Sequence, residues 1–77
     1  MANYRITIWE KDGDTDAISV KDVYETYRIE DIGAKVAAYT DATQTQTEAD
    51  LEALECGESC EYDANDDMHL ISVHRLY

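Results

Sequence analysis

The chain has no proline, no phenylalanine, three glycines and two cysteines in 77 residues. Without proline there is no Pro-rich linker or recognition tract, and no domain boundary of that kind. Without phenylalanine the core has to be filled by aliphatic residues together with six tyrosines and one tryptophan. Cys56 and Cys60 are too few for a disulfide framework and suit a reducing compartment. No stretch approaches the roughly 18 consecutive apolar residues of a membrane span. The opening Met1-Ala2-Asn3-Tyr4-Arg5 lacks the basic and apolar regions of a signal peptide, so a cytoplasmic protein is expected.

Positive charge is the scarcest commodity. Six Lys and Arg face 18 Asp and Glu, a formal net charge of −12. Such a surface repels DNA, RNA and anionic lipid, and it associates quickly with cationic partners. The imbalance is also local. Between Lys35 and Arg75 lie 39 residues without Lys or Arg, carrying Asp41, Glu48, Asp50, Glu52, Glu55, Glu58, Glu61, Asp63, Asp66 and Asp67.

A chain this short buries only about 60% of its unfolded surface, which leaves little room for an internal active site. It reads as a single compact domain over residues 1–77. Tyr4, Ile6 and Ile8 alternate with Arg5, Thr7 and Trp9, which predicts a half-buried strand over Tyr4 to Glu10. The Asp-Gly pair at Asp12 and Gly13 supplies turn chemistry for a hairpin. Residues 19–29 fit two periods. A helix capped by Ser19 and Asp22 would align Val20, Val23, Tyr24 and Tyr27, whereas a strand over Val23 to Ile29 explains the β-branched and aromatic content and gives the first strand a partner. The strand is favoured.

Glu30 and Asp31 suit a helix N-terminus, and Ile32, Val36 and Tyr39 recur at helical spacing toward Ala42. Thr43 to Thr47 reads as a polar loop. Thr47 and Asp50 then make a capping box for a second helix carrying Leu51 and Leu54, ended by Gly57. Glu58 to Asp67 reads as an acidic turn region with a short extended piece at Cys60 to Tyr62. The last strand, Met68 to Tyr77, is apolar on both faces and belongs in the centre of a sheet. The expectation is an α+β fold of order ββααβ, with or without a short extra strand before the last, giving three to four antiparallel strands and two helices on one face.

No motif carries catalysis or a cofactor. Asp12, Asp14 and Asp16 have the spacing of the first calcium-loop ligands, but Ala17 and Val23 stand where the loop needs Gly and Glu, so a solvated turn is the reading. Cys56, Cys60, His69 and His74 are zinc-ligand types at unsuitable spacing, and the two histidines fall on opposite faces of a strand. Glu58 and Glu61 beside Cys60 disfavour a thiolate nucleophile. A non-enzymatic protein without metal or cofactor is expected.

What remains is the anionic surface. Asp50, Glu55 and Glu58 fall along one row of the expected second helix and its end, with Glu48 and Glu52 on an adjoining row. Like charges at such spacing cost a helix a few tenths of a kcal/mol per pair, so stability does not account for them. Rows of carboxylates approximate a line of phosphates. Glu48, Asp50, Glu52, Glu55, Glu58, Glu61, Asp63, Asp66 and Asp67 are the expected partner-binding residues, with Trp9 and Tyr62 as aromatic anchors.

In small size, strong acidity, compact α+β order and lack of a catalytic motif, the chain resembles the phage-encoded inhibitors of bacterial defence, especially the anti-CRISPR proteins, some of which imitate nucleic acid. The likeness is one of profile over the whole chain and transfers no residue role. It implies a stoichiometric inhibitor docking on the basic nucleic-acid-binding or PAM-reading surface of a CRISPR effector. The alternative is a structural or accessory interaction domain, homodimeric through an edge strand, whose acids only solvate it.

Overall fold

A computed structural model describes residues 3–77. Alternation puts Tyr4, Ile6 and Ile8 on the buried face of β1 (Tyr4–Lys11). The turn that follows is made by the acids themselves. Asp12 Oδ1 accepts from the Asp14 amide at 2.8 Å, the Asp12 carbonyl accepts from the Asp16 amide at 2.9 Å, and Asp16 adopts a left-handed φ of 60°. The chain returns as β2 (Ile18–Thr26), antiparallel to β1, with a register shift opposite Ile8 and Trp9 that leaves Lys21 unpaired in the ladder.

Two helices follow, α1 (Ile29–Tyr39) and α2 (Gln44–Ala53), and then β3 (Ser59–Asp63) and β4 (His69–Arg75). The four strands form one antiparallel sheet of order β2-β1-β4-β3. Ile6 lies opposite Val73 and Ile8 opposite Ile71. These four, with Tyr4, Ile32, Val36 and Leu51, make one core between the sheet and the helices. Burial of an aliphatic side chain of this size contributes about 1.5 to 3 kcal/mol. The architecture is the expected α+β one, with order ββααββ because the extended piece around Cys60 and Tyr62 forms a full strand.

The α1–α2 contact needs Gly33. A Cβ built there would stand 2.9 Å from Gln44 Cγ and 3.2 Å from the Gln44 carbonyl oxygen. Absence of a side chain therefore sets how closely the acidic helix approaches the rest of the fold.

Several local expectations are corrected. Residues 43–47 do not form a loop: α2 starts at Gln44, and its cap is Thr43, whose hydroxyl accepts from the Gln46 amide at 3.1 Å. Thr47 is fully buried inside the helix and donates to the Thr43 carbonyl at 3.0 Å, so it forms no capping box with Asp50. The helix stops at Ala53, short of Gly57, which has a φ of 87° in the turn before β3. The second strand starts at Ile18 and stops at Thr26, because Ile29 is already the first residue of α1, and the helical alternative for residues 19–29 is not adopted. The first helix ends at Tyr39, where Thr40 turns its hydroxyl back onto the Val36 carbonyl at 2.9 Å.

Candidate functional site

Ion pairing divides the molecule. Arg5 pairs with Glu25, Lys11 with Asp16, and Arg28 with both Glu30 and Asp31, at 3.3 to 3.6 Å. All these acids precede residue 36. Among the described residues, none of the ten later carboxylates pairs with a Lys or Arg, and Asp66 instead meets the His69 ring nitrogen Nδ1 at 2.6 Å. The base-free interval of the sequence thus remains without a Lys or Arg partner among the described residues.

Topology brings most of that interval to the β3 side of the sheet, the α2 acids on the helix-covered face and Glu61 and Asp63 on the opposite one. α2 carries Glu48, Asp50 and Glu52, the turn beyond it carries Glu55 and Glu58, and β3, an edge strand, carries Glu61 and Asp63. The joint between helix and strand is polar: Tyr62 Oη donates to Asp50 Oδ2 at 3.2 Å, and Gln46 Nε2 donates to Asp50 Oδ1 at 3.1 Å. Asp66 and Asp67 lie in the turn leading to β4, and Asp41 follows the end of α1.

The carboxylates fall into two kinds. Asp50, Glu58 and Asp66 hold the fold. Glu58 Oε1 accepts from the Glu55 amide at 2.7 Å, closing the turn between α2 and β3. Asp66 accepts from the amides of Met68 and His69 at 2.9 and 3.1 Å and from the His69 ring. The Met68 amide, followed by the His69 ring, holds its carboxyl below the usual aspartate range. Lys21 Nζ lies 3.3 Å from His69 Nε2, and because an ammonium only donates, Nε2 is the acceptor and Nδ1 carries the proton facing Asp66.

By contrast, the side chains of Glu52, Glu55, Glu61, Asp63 and Asp67 are exposed and make no hydrogen bond or ion pair among the described residues. Glu48 is half-buried and likewise unpaired among them. Helix polarity also works against these charges. The first turn of α2 holds no acid and its last turn no base, while Asp50 and Glu52 stand in that last turn, where the backbone dipole is negative. The placement weakens the helix.

Of the two aromatic positions, Tyr62 packs against the core and its hydroxyl is engaged with Asp50. Burial, then Cys60 and Asp50, push its pKa far above the usual phenol value. Cys60 is half-buried beside it, and burial raises its thiol pKa, which suits a structural thiol. Cys56 is exposed, and both cysteines are unbridged. Trp9 lies on the other face of the sheet, with Nε1 donating to Ser72 Oγ at 3.0 Å.

That second face, which carries the expected anchor Trp9, is uncovered among the described residues. Opposite the helices it presents Trp9 paired with Leu70 and Val20, and Thr7 paired with Ser72 and Val23. Ile18, Val20, Val23 and Met68 are 61, 51, 52 and 45% exposed. The signal was present in the alternation of β4, where Leu70 points away from Ile71 and Val73, but its meaning depends on which face the helices cover. No cluster of His, Cys, Asp and Glu suited to a metal occurs among the described residues. No helix among them is long and apolar enough to cross a membrane.

No family model, curated protein or solved structure matches the chain.

Proposed function

We propose that the protein is a non-enzymatic acidic inhibitor that occupies the basic nucleic-acid-binding surface of a protein or nucleoprotein complex, in the manner of an anti-CRISPR decoy. One observation carries the reading: the carboxylates of α2, β3 and their connecting turn are left without a Lys or Arg partner among the described residues, although Arg5, Lys11 and Arg28 of the same chain pair with acids elsewhere. Unpaired surface acids that weaken their own helix suit a partner that supplies the cations. Duplex DNA presents about one charge per 1.7 Å of axis, and clefts that bind it are lined with Lys and Arg. The β3 side of the molecule, with Glu48, Glu52 and Glu55 on the helix side and Glu61 and Asp63 on the edge strand, supported by Asp50 and Glu58, offers such a cleft an alternative anion.

The test is displacement. Added to a purified CRISPR effector holding labelled DNA, the protein is expected to release the DNA at low ionic strength and progressively less as salt rises. Failure to release it at any concentration overturns the proposal.

The second reading, a homodimeric interaction domain, draws on the exposed Ile18, Val20 and Val23 of β2, which is an edge strand. Sedimentation over a range of concentrations separates the two, since a strict monomer removes its support.

A further inference from the structure

The uncovered sheet face is not a bare apolar surface. Its centre is Trp9, Val20, Val23 and Leu70, and its β3 margin carries Glu61 and Asp63, which pair with Ser72 and Leu70 of β4 and so share this face. At the hairpin end a pocket of about 300 Å³ opens, with Trp9, Ile18, Met68 and Leu70 for walls and Asp63 and Asp67 among its lining residues. Lys11 also lines it, but its ammonium is paired with Asp16 at 3.5 Å. Arg5, the other base of this face, is paired with Glu25 at 3.4 Å. The unpaired charge around the apolar centre is therefore negative.

We propose that the open face, centred on Trp9, is a docking site for a cationic amphipathic segment of a partner protein, and that the pocket takes one of its Arg or Lys side chains. The chemistry of those side chains matches the lining in order. Their methylene stems cover apolar walls while the charged head stays at the polar rim. Here the stem lies on Ile18, Met68 and Leu70 and the head reaches Asp63 and Asp67. An Arg or Lys over the indole of Trp9 adds a cation–π contribution. A second copy of this chain fits poorly, because it would bring a further charge of −12 against Glu61 and Asp63 while its own Arg5 and Lys11 are already paired.

The inference rests on the reading of the protein as a binder of basic surfaces and names what that surface must contain. A partner that only lined up cations would be met by the α2 flank alone. A partner that alternates cationic and apolar side chains would engage the sheet.

The experiment uses the 15N-labelled full chain and two blocked peptides of equal charge, Arg-Val-Arg-Val-Arg and Arg-Gly-Arg-Gly-Arg. The first is expected to bind at least about tenfold more tightly and to shift the Trp9 indole and the Val20, Met68 and Leu70 amides, with saturation. Trp9→Ala should remove most of that preference. Val20→Thr with Val23→Thr, which keeps the β-branched shape of an exposed strand, should reduce it without loss of spectral dispersion.

Equal affinity for the two peptides, shifts confined to α2, or no binding at low salt would each overturn the inference. A concentration-dependent dimer that Trp9→Ala dissolves would overturn it in favour of a second copy. The two proposals fail separately. If Trp9→Ala still displaces DNA from a basic effector as well as the wild type does, the sheet face is not the docking site but the decoy reading stands. If the wild type displaces nothing, the decoy reading itself is lost.

Discussion

Tyr62 Oη donates to Asp50 Oδ2 across 3.2 Å, and this bond is the seam between the acidic helix and the acidic edge strand. It fixes two anionic elements side by side by satisfying one carboxylate, which leaves the surrounding ones unpaired. Removing the hydroxyl while keeping the ring tests the seam. Tyr62→Phe is expected to cost about 0.5 to 1.5 kcal/mol in urea unfolding, with amide shifts concentrated in residues 44–53 and 59–63. An unchanged midpoint would show that the seam contributes nothing.

Stability should decline at both ends of the pH scale, for different groups. Tyr62 and Cys60 have pKa values raised above their usual 10.0 and 9.0, so the folded state keeps protons that the unfolded chain releases. Their contribution is complete below those values and is lost as pH rises past about 9. Asp66 is lowered from 3.8, so its contribution is present above that value and fades as pH falls through the folded-state value. Denaturation midpoints against pH for Tyr62→Phe and Asp66→Asn check this. The first should flatten the alkaline limb and the second the acid limb.

Gly33→Ala separates propensity from packing. In an exposed helix the change would stabilise by about 1 kcal/mol. Here the new methyl meets Gln44 Cγ at 2.9 Å and the Gln44 carbonyl at 3.2 Å, and overpacking of that kind typically costs about 1 to 3 kcal/mol. A net loss on the order of 1 kcal/mol is expected, read as a lower midpoint in chemical denaturation. A gain would mean that α2 moves away easily.

Thr43 and Thr47 distinguish the true cap from the apparent one. Thr43→Ala removes the acceptor for the Gln46 amide and should cost about 1 kcal/mol. Thr47→Val keeps the volume of a fully buried side chain but loses the hydroxyl that donates to the Thr43 carbonyl. Its effect belongs to the helix interior, and the start of α2, followed by amide exchange at Gln46, should be disturbed only by the first change.

The contrast shows what the sequence made legible. β1 and α1 carry strong periods of two and 3.6, since Ile6 and Ile8, then Ile32 and Val36, have nowhere to go but the core. α2 has only Leu51 as a large buried residue, so the apolar stripe that would reveal a helix is missing. Its start is nonetheless written in Thr43 and Gln46, at capping-box spacing, but the later Thr47 and Asp50 have the same spacing and point four residues too far on. Tertiary contacts decide between them: Thr47 is drawn inside, and Asp50 is engaged by Tyr62.

The anionic flank was legible as composition and as a run without bases. Which acids support the fold was not, because the bonds of Glu58 and Asp66 are made to backbone amides that no side-chain pattern announces. The open face was hidden for a related reason. Trp9, Val20, Val23 and Leu70 are separated in sequence and meet only through the β2-β1-β4 order.

The central claim is that the unpaired carboxylates meet the cations of a nucleic-acid-binding surface, and its most direct test is displacement of labelled DNA from a purified CRISPR effector across a salt series. Glu52→Lys, Glu55→Lys and Glu61→Lys together change exposed, unbonded side chains and spare Asp50, Glu58 and Asp66. The account predicts release of DNA by the wild type that weakens steadily with salt, and a loss of about tenfold or more in potency for the triple variant while it remains folded. Release that is indifferent to salt, or a triple variant as potent as the wild type, would contradict it.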